Sequence, residues 1–319
     1  MYPSLKRILP SVILPVALAF AAIGRAEDKA NQGNPPAEAQ AQAQAQAQAN
    51  PKIDEHRQQA EQEARKSLDK DAIAAIEETR NALKAITSGK SDESLAAIER
   101  ATGKINVLLA RNPATALIPV EARVDVIDIA PLDTTRIKAI TREAERAVKD
   151  RDYPAARVLL QGLISEIRVR TLTLPLATYP AALQAAARLL DQKKPDEAKT
   201  VLKTALNTLV AIDRVSPLPI VIAETAIDQA QAQRDKDKDA AQRHLTLAKS
   251  ELERARELGY AGNDPEYAAL NQAISDIEKQ LKGNENSTSA FAKLKEKVSS
   301  FFHRMAGSAK KSEVASASR

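Results

Sequence analysis

The sequence contains no cysteine and no tryptophan, and aromatic residues make up only 3% of its 319 residues. Without cysteine the chain forms no disulfide, carries no lipid-modified cysteine, and cannot bind zinc or an iron–sulfur cluster through thiolates. Glycine is also scarce, with nine residues, whereas Ala, Leu, Glu, Lys, Arg and Gln dominate. This composition favours helices and supplies few of the rings that line sandwich cores and ligand pockets.

Sequence motifs of catalysis are also missing from the region that we expect to fold. That region has no glycine-rich phosphate loop and no Gly-x-Ser-x-Gly elbow, and its histidines stand alone. Asp125, Asp128 and Asp133 cluster in the sequence but lack the glycine and spacing of a calcium loop, so we interpret them as solvated carboxylates. We therefore predict no catalytic residue, no cofactor, no metal and no enzyme. An enzyme whose site is assembled from scattered carboxylates is the alternative.

The N-terminus has the pattern of a signal peptide. Lys6 and Arg7 precede an apolar stretch from Ile8 to Ile23, followed by the small residues Gly24 and Ala26. The stretch is short for a membrane span and contains two prolines, although an uncleaved anchor is an alternative. We predict that residues 1–26 are removed near Ala26 and that the protein is periplasmic. Their removal takes away three basic residues and lowers the net charge from +5 to +2, which argues against nucleic-acid binding.

Residues 27–52 differ in composition from the rest of the chain. They combine prolines with an alternating Ala-Gln run and carry no large apolar side chain. We predict a disordered tether. Because Ala and Gln are good helix formers, an N-terminal extension of the next helix is the alternative.

From residue 53 to 282 the apolar residues recur at helical spacing, and proline recurs at the expected helix starts. A pattern of a small alanine followed four residues later by a leucine repeats after 42 and then 43 residues, each time on the second helix of an expected hairpin. The pairs are Ala156 and Leu160, Ala198 and Leu202, and Ala241 and Leu245. The alanine allows two helices to approach closely. We predict an all-α fold of antiparallel helical hairpins with repeats like those of tetratricopeptide proteins, although the spacing exceeds the 34 residues of that repeat.

Two short stretches depart from the helical period. Apolar and polar residues alternate from Val120 to Val126 and again from Ile167 to Thr173, which predicts strands. Their charges are partly complementary, so we expect the two stretches to pair as a small two-stranded ribbon. Irregular extended connections are the alternative.

Two apolar, proline-bearing loops are the main candidates for a binding or oligomer surface. Leu174, Leu176 and Tyr179 lie in the first loop, and Leu218 and Ile220 lie about one repeat later. Loops normally face water, so apolar loops must pack against something. We expect hairpins stacked in register to bring both loops to the same end. Packing of the loops on each other inside the monomer, which would close one end of the bundle, is the interpretation that we favour, and a subunit contact or capture of an unfolded or hydrophobic ligand is the alternative.

Residues 283–319 form a linker, an amphipathic helix and a frayed end. The apolar face of this helix, flanked by lysines, comprises Phe291, Leu294, Val298, Phe301 and Met305. It either packs back on its own domain or contacts a membrane surface or a partner.

Several short motifs carry a resemblance to a known family: Asp133-Thr134, Asp152-Tyr153, the run Leu-Pro-Leu-Ala-Thr-Tyr-Pro at residues 174–180, Pro217-Leu218-Pro219 and Leu258-Gly259-Tyr260. With these motifs the chain resembles the YfdX family from about residue 53 to 281. The resemblance implies an exported helical protein that self-associates and is linked to acid, heat or drug tolerance.

We therefore expect a non-enzymatic, chaperone-like protein of the periplasm that forms homo-oligomers and binds unfolded or envelope proteins as clients. A helical-repeat structural or interaction module of the cell envelope is the alternative.

Overall fold

The computed structural model describes the backbone of residues 37–113, 115–260, 264–283 and 285–317. The expected signal peptide, residues 1–26, and the start of the expected tether lie outside these ranges. Within them the chain forms eleven helices and one antiparallel sheet of three strands. The expected helical fold is therefore confirmed.

The elements follow one another in a regular order. The helices are α1 (Ala37–Ser67), α2 (Lys70–Thr87), α3 (Ser91–Arg111), α4 (Thr134–Lys149), α5 (Tyr153–Gln161), α6 (Tyr179–Asp191), α7 (Pro195–Asn207), α8 (Leu218–Gln233), α9 (Lys238–Glu257), α10 (Glu266–Lys282) and α11 (Thr288–Ala317), and the strands are β1 (Leu117–Asp128), β2 (Ser165–Pro175) and β3 (Val210–Pro217). Four helical hairpins result, which we call the first (α2–α3), second (α4–α5), third (α6–α7) and fourth (α8–α9). One strand follows each of the first three.

The sheet has the order β1-β2-β3. The expected pairing of the two alternating stretches is confirmed, with Val126 opposite Ile167 and Val124 opposite Val169. A register shift between Pro119 and Glu121 bends β1 near its start. The expectation of only two strands is wrong, because β3 pairs with the other edge of β2.

Strand direction decides where each hairpin lies. The start of β1 pairs with the end of β2, since Leu117 lies opposite Pro175, and the end of β1 pairs with the start of β2 at Asp128 and Ser165. The first and third hairpins therefore lie at one end of the sheet. The second and fourth hairpins lie at the other end, where β3 finishes at Pro217.

Two hydrophobic cores follow from this arrangement. One is shared by the first and third hairpins with residues from β1 and β2, and it includes Ile76, Ile98, Ile105, Leu183 and Leu202. The other is shared by the fourth hairpin with α10 and α11 and includes Ile227, Leu245, Leu252, Ile274 and Phe291. The second hairpin has no residue in either core.

The 42-residue repeat has a structural counterpart. Ala156, Ala198 and Ala241 are all buried on the second helix of their hairpins, as the repeat predicts. The turn between the two helices also repeats, because Arg151 and Lys193, 42 positions apart, both have a φ of 61°. A left-handed residue at each turn costs about 1 kcal/mol or more, which the packing of the two helices has to offset.

The two ends of the described chain differ from the sequence expectations. Helix α1 begins at Ala37, inside residues 27–52, where we expected a tether. This agrees with the alternative that the Ala-Gln run extends the next helix, since both residues favour helix. At the other end, α11 continues to Ala317, although we expected residues 307–319 to fray.

Replacing Tyr179 with Ala tests the core between the first and third hairpins. Tyr179 is almost fully buried there, and burial raises the pKa of its hydroxyl to about 12. We expect the free energy of unfolding to fall by about 3 kcal/mol or more, because a large ring leaves a cavity. Urea denaturation at two protein concentrations should give the same loss if the packing is internal to one chain.

Tyr153→Ala is the matched control, because that ring is exposed at the start of α5. Its effect on stability should stay within about 0.5 kcal/mol. Equal losses for the two variants would contradict the placement of Tyr179 in the core.

Candidate functional site

The five loop residues expected to form a binding or oligomer surface do not form one. Leu174, Leu176, Tyr179, Leu218 and Ile220 are all buried. The expectation that both loops meet at one end is also wrong, because β2 and β3 run in opposite directions. Tyr179 therefore packs in the core of the first and third hairpins, and Ile220 packs in the other core.

The apolar face of the tail helix is also covered. Phe291, Leu294, Val298 and Phe301 are fully buried against the fourth hairpin and α10, which agrees with the alternative that the tail packs on its own domain. The side chain of Met305 lies outside the described residues. Among the side chains that the structure describes, this face is used inside the chain and leaves no apolar stripe for a membrane.

The second hairpin carries four of the eight large apolar side chains that are exposed in the described part of the chain. Val148 on α4 and Tyr153, Val158 and Leu160 on α5 are exposed, as is Ile129, which directly follows β1. Residues two apart do not share a helix face, so Val158 lies nearly opposite Leu160 on α5. We call Val148, Tyr153 and Leu160 the open face. Few residues of the hairpin are buried: Ile137 and Ala144 on α4 and Ala156 on α5.

Comparison with the third hairpin shows what the open face lacks. Subtracting the 42-residue repeat places Val148 at the position of Leu190 and Leu160 at the position of Leu202. The two residues of the third hairpin are 4% and 0% exposed, whereas Val148 and Leu160 are 48% and 52% exposed. The first hairpin covers the third through contacts of α2 with α7 and of α3 with α6. For the second hairpin, the described part of the chain supplies contacts of α4 with α9, but Val148 and Leu160 remain exposed.

The base of the second hairpin is held by a buried arginine on α9. The Arg254 guanidinium is 1% exposed and donates hydrogen bonds to the carbonyl oxygens of Ala130 and Pro131, each at 3.1 Å. It also contacts Asp128 Oδ1 at 3.0 Å and Glu251 Oε2 at 3.3 Å. Burial raises the pKa of Glu251, and Arg254 opposes that rise. The arginine thereby binds the segment that leads from β1 into α4.

A second set of contacts holds the segment that leads from α5 into β2. The Ser165 hydroxyl donates to Asp128 at 2.8 Å, and the Ser165 amide donates to the Tyr260 hydroxyl at 3.0 Å. Tyr260 in turn donates to Glu166 at 2.8 Å, and Arg168 pairs with the same carboxylate at 2.6 Å. Both ends of the second hairpin are therefore fixed, and the open face is presented from a rigid base.

Sequence reasoning missed this junction, although one signal was present. Glu251 and Arg254 lie one turn apart on α9, within an apolar stripe that includes Ala248, Leu252 and Ala255. Charged residues inside such a stripe are buried only when paired. Asp128, interpreted from the sequence as solvated, is a partner of this pair instead.

A polar cleft lies beneath α1. It has a volume of about 440 Å³ and is lined by residues of α1, β2, β3, α8 and α11, among them His56, Val169, Arg214, Glu224 and Phe302. His56 Nε2 lies 3.9 Å from Glu224 Oε2. Within the ranges that the structure describes, no three carboxylate or histidine side chains are grouped to hold a metal ion. No helix in those ranges has the length and hydropathy of a membrane span.

Comparisons with known proteins identify one family. The family model of the YfdX protein matches residues 75–215, which extend from α2 into β3 and contain β1, β2 and the open face. A crystal structure of Salmonella Typhi YfdX is similar over 46% of this chain and 91% of its own, with 14% identity and a TM-score of 0.33. No protein with curated annotation matches the sequence. The family match confirms the resemblance inferred from the sequence.

Replacing Arg254 with Met tests the junction. Loss of the guanidinium leaves Glu251 and Asp128 without their cation, so we expect the free energy of unfolding to fall by about 3–5 kcal/mol. Arg256→Met is the control, because Arg256 is 43% exposed in its ion pair with Glu257 and surface pairs contribute about 0–1 kcal/mol. Chemical denaturation of both variants provides the measurement, and similar losses would contradict the junction.

Proposed function

We propose that this chain, which carries a YfdX-family region, is a non-enzymatic stress-tolerance protein of the bacterial envelope that binds partly unfolded proteins through the open face. The uncovered repeat positions Val148 and Leu160 carry the proposal. In the third hairpin the equivalent side chains are covered by two helices. An amphipathic segment of a client protein would supply the missing cover here, since helices recognise one another through such apolar stripes.

The rigid base of the open face supports this proposal. Exposed apolar surface on a soluble monomer marks an interaction site, and a surface held in place loses little entropy on binding. The junction of Arg254 and Tyr260 fixes the two chain segments that enter and leave the hairpin. The face is therefore available for binding without rearrangement.

The cellular location belongs to the same proposal. The signal-peptide pattern of residues 1–26 supports export to the periplasm, where acid and heat unfold proteins beyond the reach of cytosolic chaperones. A binding protein without cysteine tolerates the oxidising conditions of that compartment.

A double substitution tests client binding. The purified protein is added to a client enzyme that aggregates on heating or at low pH, and light scattering is followed. We expect Val148→Ser combined with Leu160→Ser to raise the protein concentration needed for half-maximal protection by about tenfold, because the removed apolar surface supplies binding free energy at about 25 cal/mol per Å².

The chain offers a close control for this experiment. Val107 and Leu109 on α3 are exposed as well, and they match the residue types of Val148 and Leu160. Val107→Ser combined with Leu109→Ser removes similar apolar groups from α3 and should leave protection unchanged. If both double variants and the wild-type protein protect equally, the open face is not the client site.

Self-association is the second candidate function, and the repeat favours it as well. The cover of the third hairpin is itself a helical hairpin, so the second hairpin of another copy would fit the open face as a two-fold contact. Such a protein would be a structural or interaction module of the envelope. Sedimentation velocity separates the two functions: loss of an oligomer with protection retained in the Val148 and Leu160 variant would favour this candidate.

A further inference from the structure

Helix α1 is held to the rest of the chain by few apolar contacts. Of its described side chains, Ala64 alone is buried, and Ile53 packs only partly against the core of the fourth hairpin. The ion pairs of Arg57 stay within α1, where it contacts Asp54 and Glu61. These pairs would be retained if the helix left the surface, so they do not fasten it there.

The contact between His56 and Glu224 is a polar link from α1 to α8. Their side chains are 20% and 19% exposed, and His56 Nε2 lies 3.9 Å from Glu224 Oε2. The ring of Phe302 on α11 lies 5.5 Å from the His56 ring, measured between centroids. Water therefore has little access to the carboxylate while α1 is in place.

Several other charged groups surround Glu224. Helix α1 contributes Lys52 and Glu63, α8 contributes Asp228, α11 contributes Lys295 and β3 contributes Arg214. Lys295 pairs with Asp228 at 2.7 Å, so its positive charge is already engaged by another carboxylate. The face of α9 that packs on α8 is apolar, with Ala241, Leu245 and Ala248 in the core.

This environment favours the protonated carboxyl. Burial raises the pKa of Glu224 to about 7, with Lys52 opposing the rise and Asp228 adding to it. Release of α1 would return water to the carboxyl and lower its pKa toward the usual value near 4.3. A group whose pKa is raised in the docked state favours docking at low pH, and this preference is lost as the pH rises through about 7.

We propose that α1 is a proton-controlled strap: it stays on α8 while the His56–Glu224 contact holds one proton, and it leaves α8 when that proton is lost. With one proton the contact is neutral, whether the proton lies on the imidazole or on the carboxyl. Without it, a carboxylate is buried beside a neutral ring, and solvation of that charge requires the helix to move away.

Helix α1 has a hinge at its C-terminal end, and it covers the cleft over β2 and β3. Residues 68 and 69 separate α1 from α2 and are not helical, and Asp69 is fixed to β1 by the hydrogen bond from its amide to Pro119. Release would therefore swing α1 about this junction. It would uncover Val169, which is 7% exposed, and open the cleft over β2 and β3.

Hydrogen exchange of the purified full chain measures the release. Peptides from residues 53–66 are followed at pH 5.5 and pH 8.5, corrected for the chemical exchange rate and compared with α10 as an internal reference. We expect protection of α1 to fall about 10- to 100-fold at the higher pH while that of α10 stays constant, because the pKa difference sets the size of the shift.

Glu224→Gln keeps the shape of the side chain and removes its charge. We expect this variant to retain protection of α1 at both pH values, whereas Asp54→Asn, which alters an exposed carboxylate of α1 that pairs with Arg57, should behave like the wild type. An unchanged pH response in Glu224→Gln would overturn the proposal. So would equal protection of wild-type α1 at both pH values, a result that does not depend on whether any variant folds.

Discussion

The antiparallel course of the three strands determines the position of every hairpin. Because each strand reverses the direction of the one before it, the chain leaves the sheet alternately at its two ends. Hairpins that are adjacent in the sequence therefore lie at opposite ends of the sheet. Hairpins that are separated by one other hairpin lie at the same end. The first and third hairpins share a core for this reason. The second hairpin shares its end of the sheet with a fourth hairpin that is already covered by α10 and α11.

The buried charges at the junction fix the position of the second hairpin. A hairpin with few buried apolar side chains gains little hydrophobic stabilisation, and without these charges only two flexible connections would join it to the rest of the chain. Arg254 and Tyr260 bind those connections directly, through backbone carbonyls on one side and the Ser165 amide on the other. Polar contacts thereby replace apolar burial in positioning the second hairpin, and the side chains of Val148 and Leu160 stay free.

Local patterns predict much of the fold but little of the site. Alternation of side chains predicts the pairing of β1 with β2, and the alanine repeat predicts the hairpins. The sequence does not predict strand β3, because its alternation of apolar and polar residues is interrupted at Arg214. Val215 then lies on the opposite face of the strand. The exposure of Leu160 cannot be read from its own sequence, since Leu202 has the same local pattern and is buried. The difference depends on where the first hairpin lies, which follows from strand direction and not from any short motif.

Because the chain leaves the sheet at alternate ends, the number of units, each a hairpin with its strand, can change only by an even number if the later hairpins are to keep their positions. A duplication or deletion of one hairpin with its strand would reverse the direction of every later strand, and α8 would emerge at the end now occupied by the first hairpin. Its partners α1, α10 and α11 would then face the wrong core. Two units gained or lost together would restore the original side. Related chains that keep the α8 core should therefore differ in length by even numbers of units, each of about 42 residues.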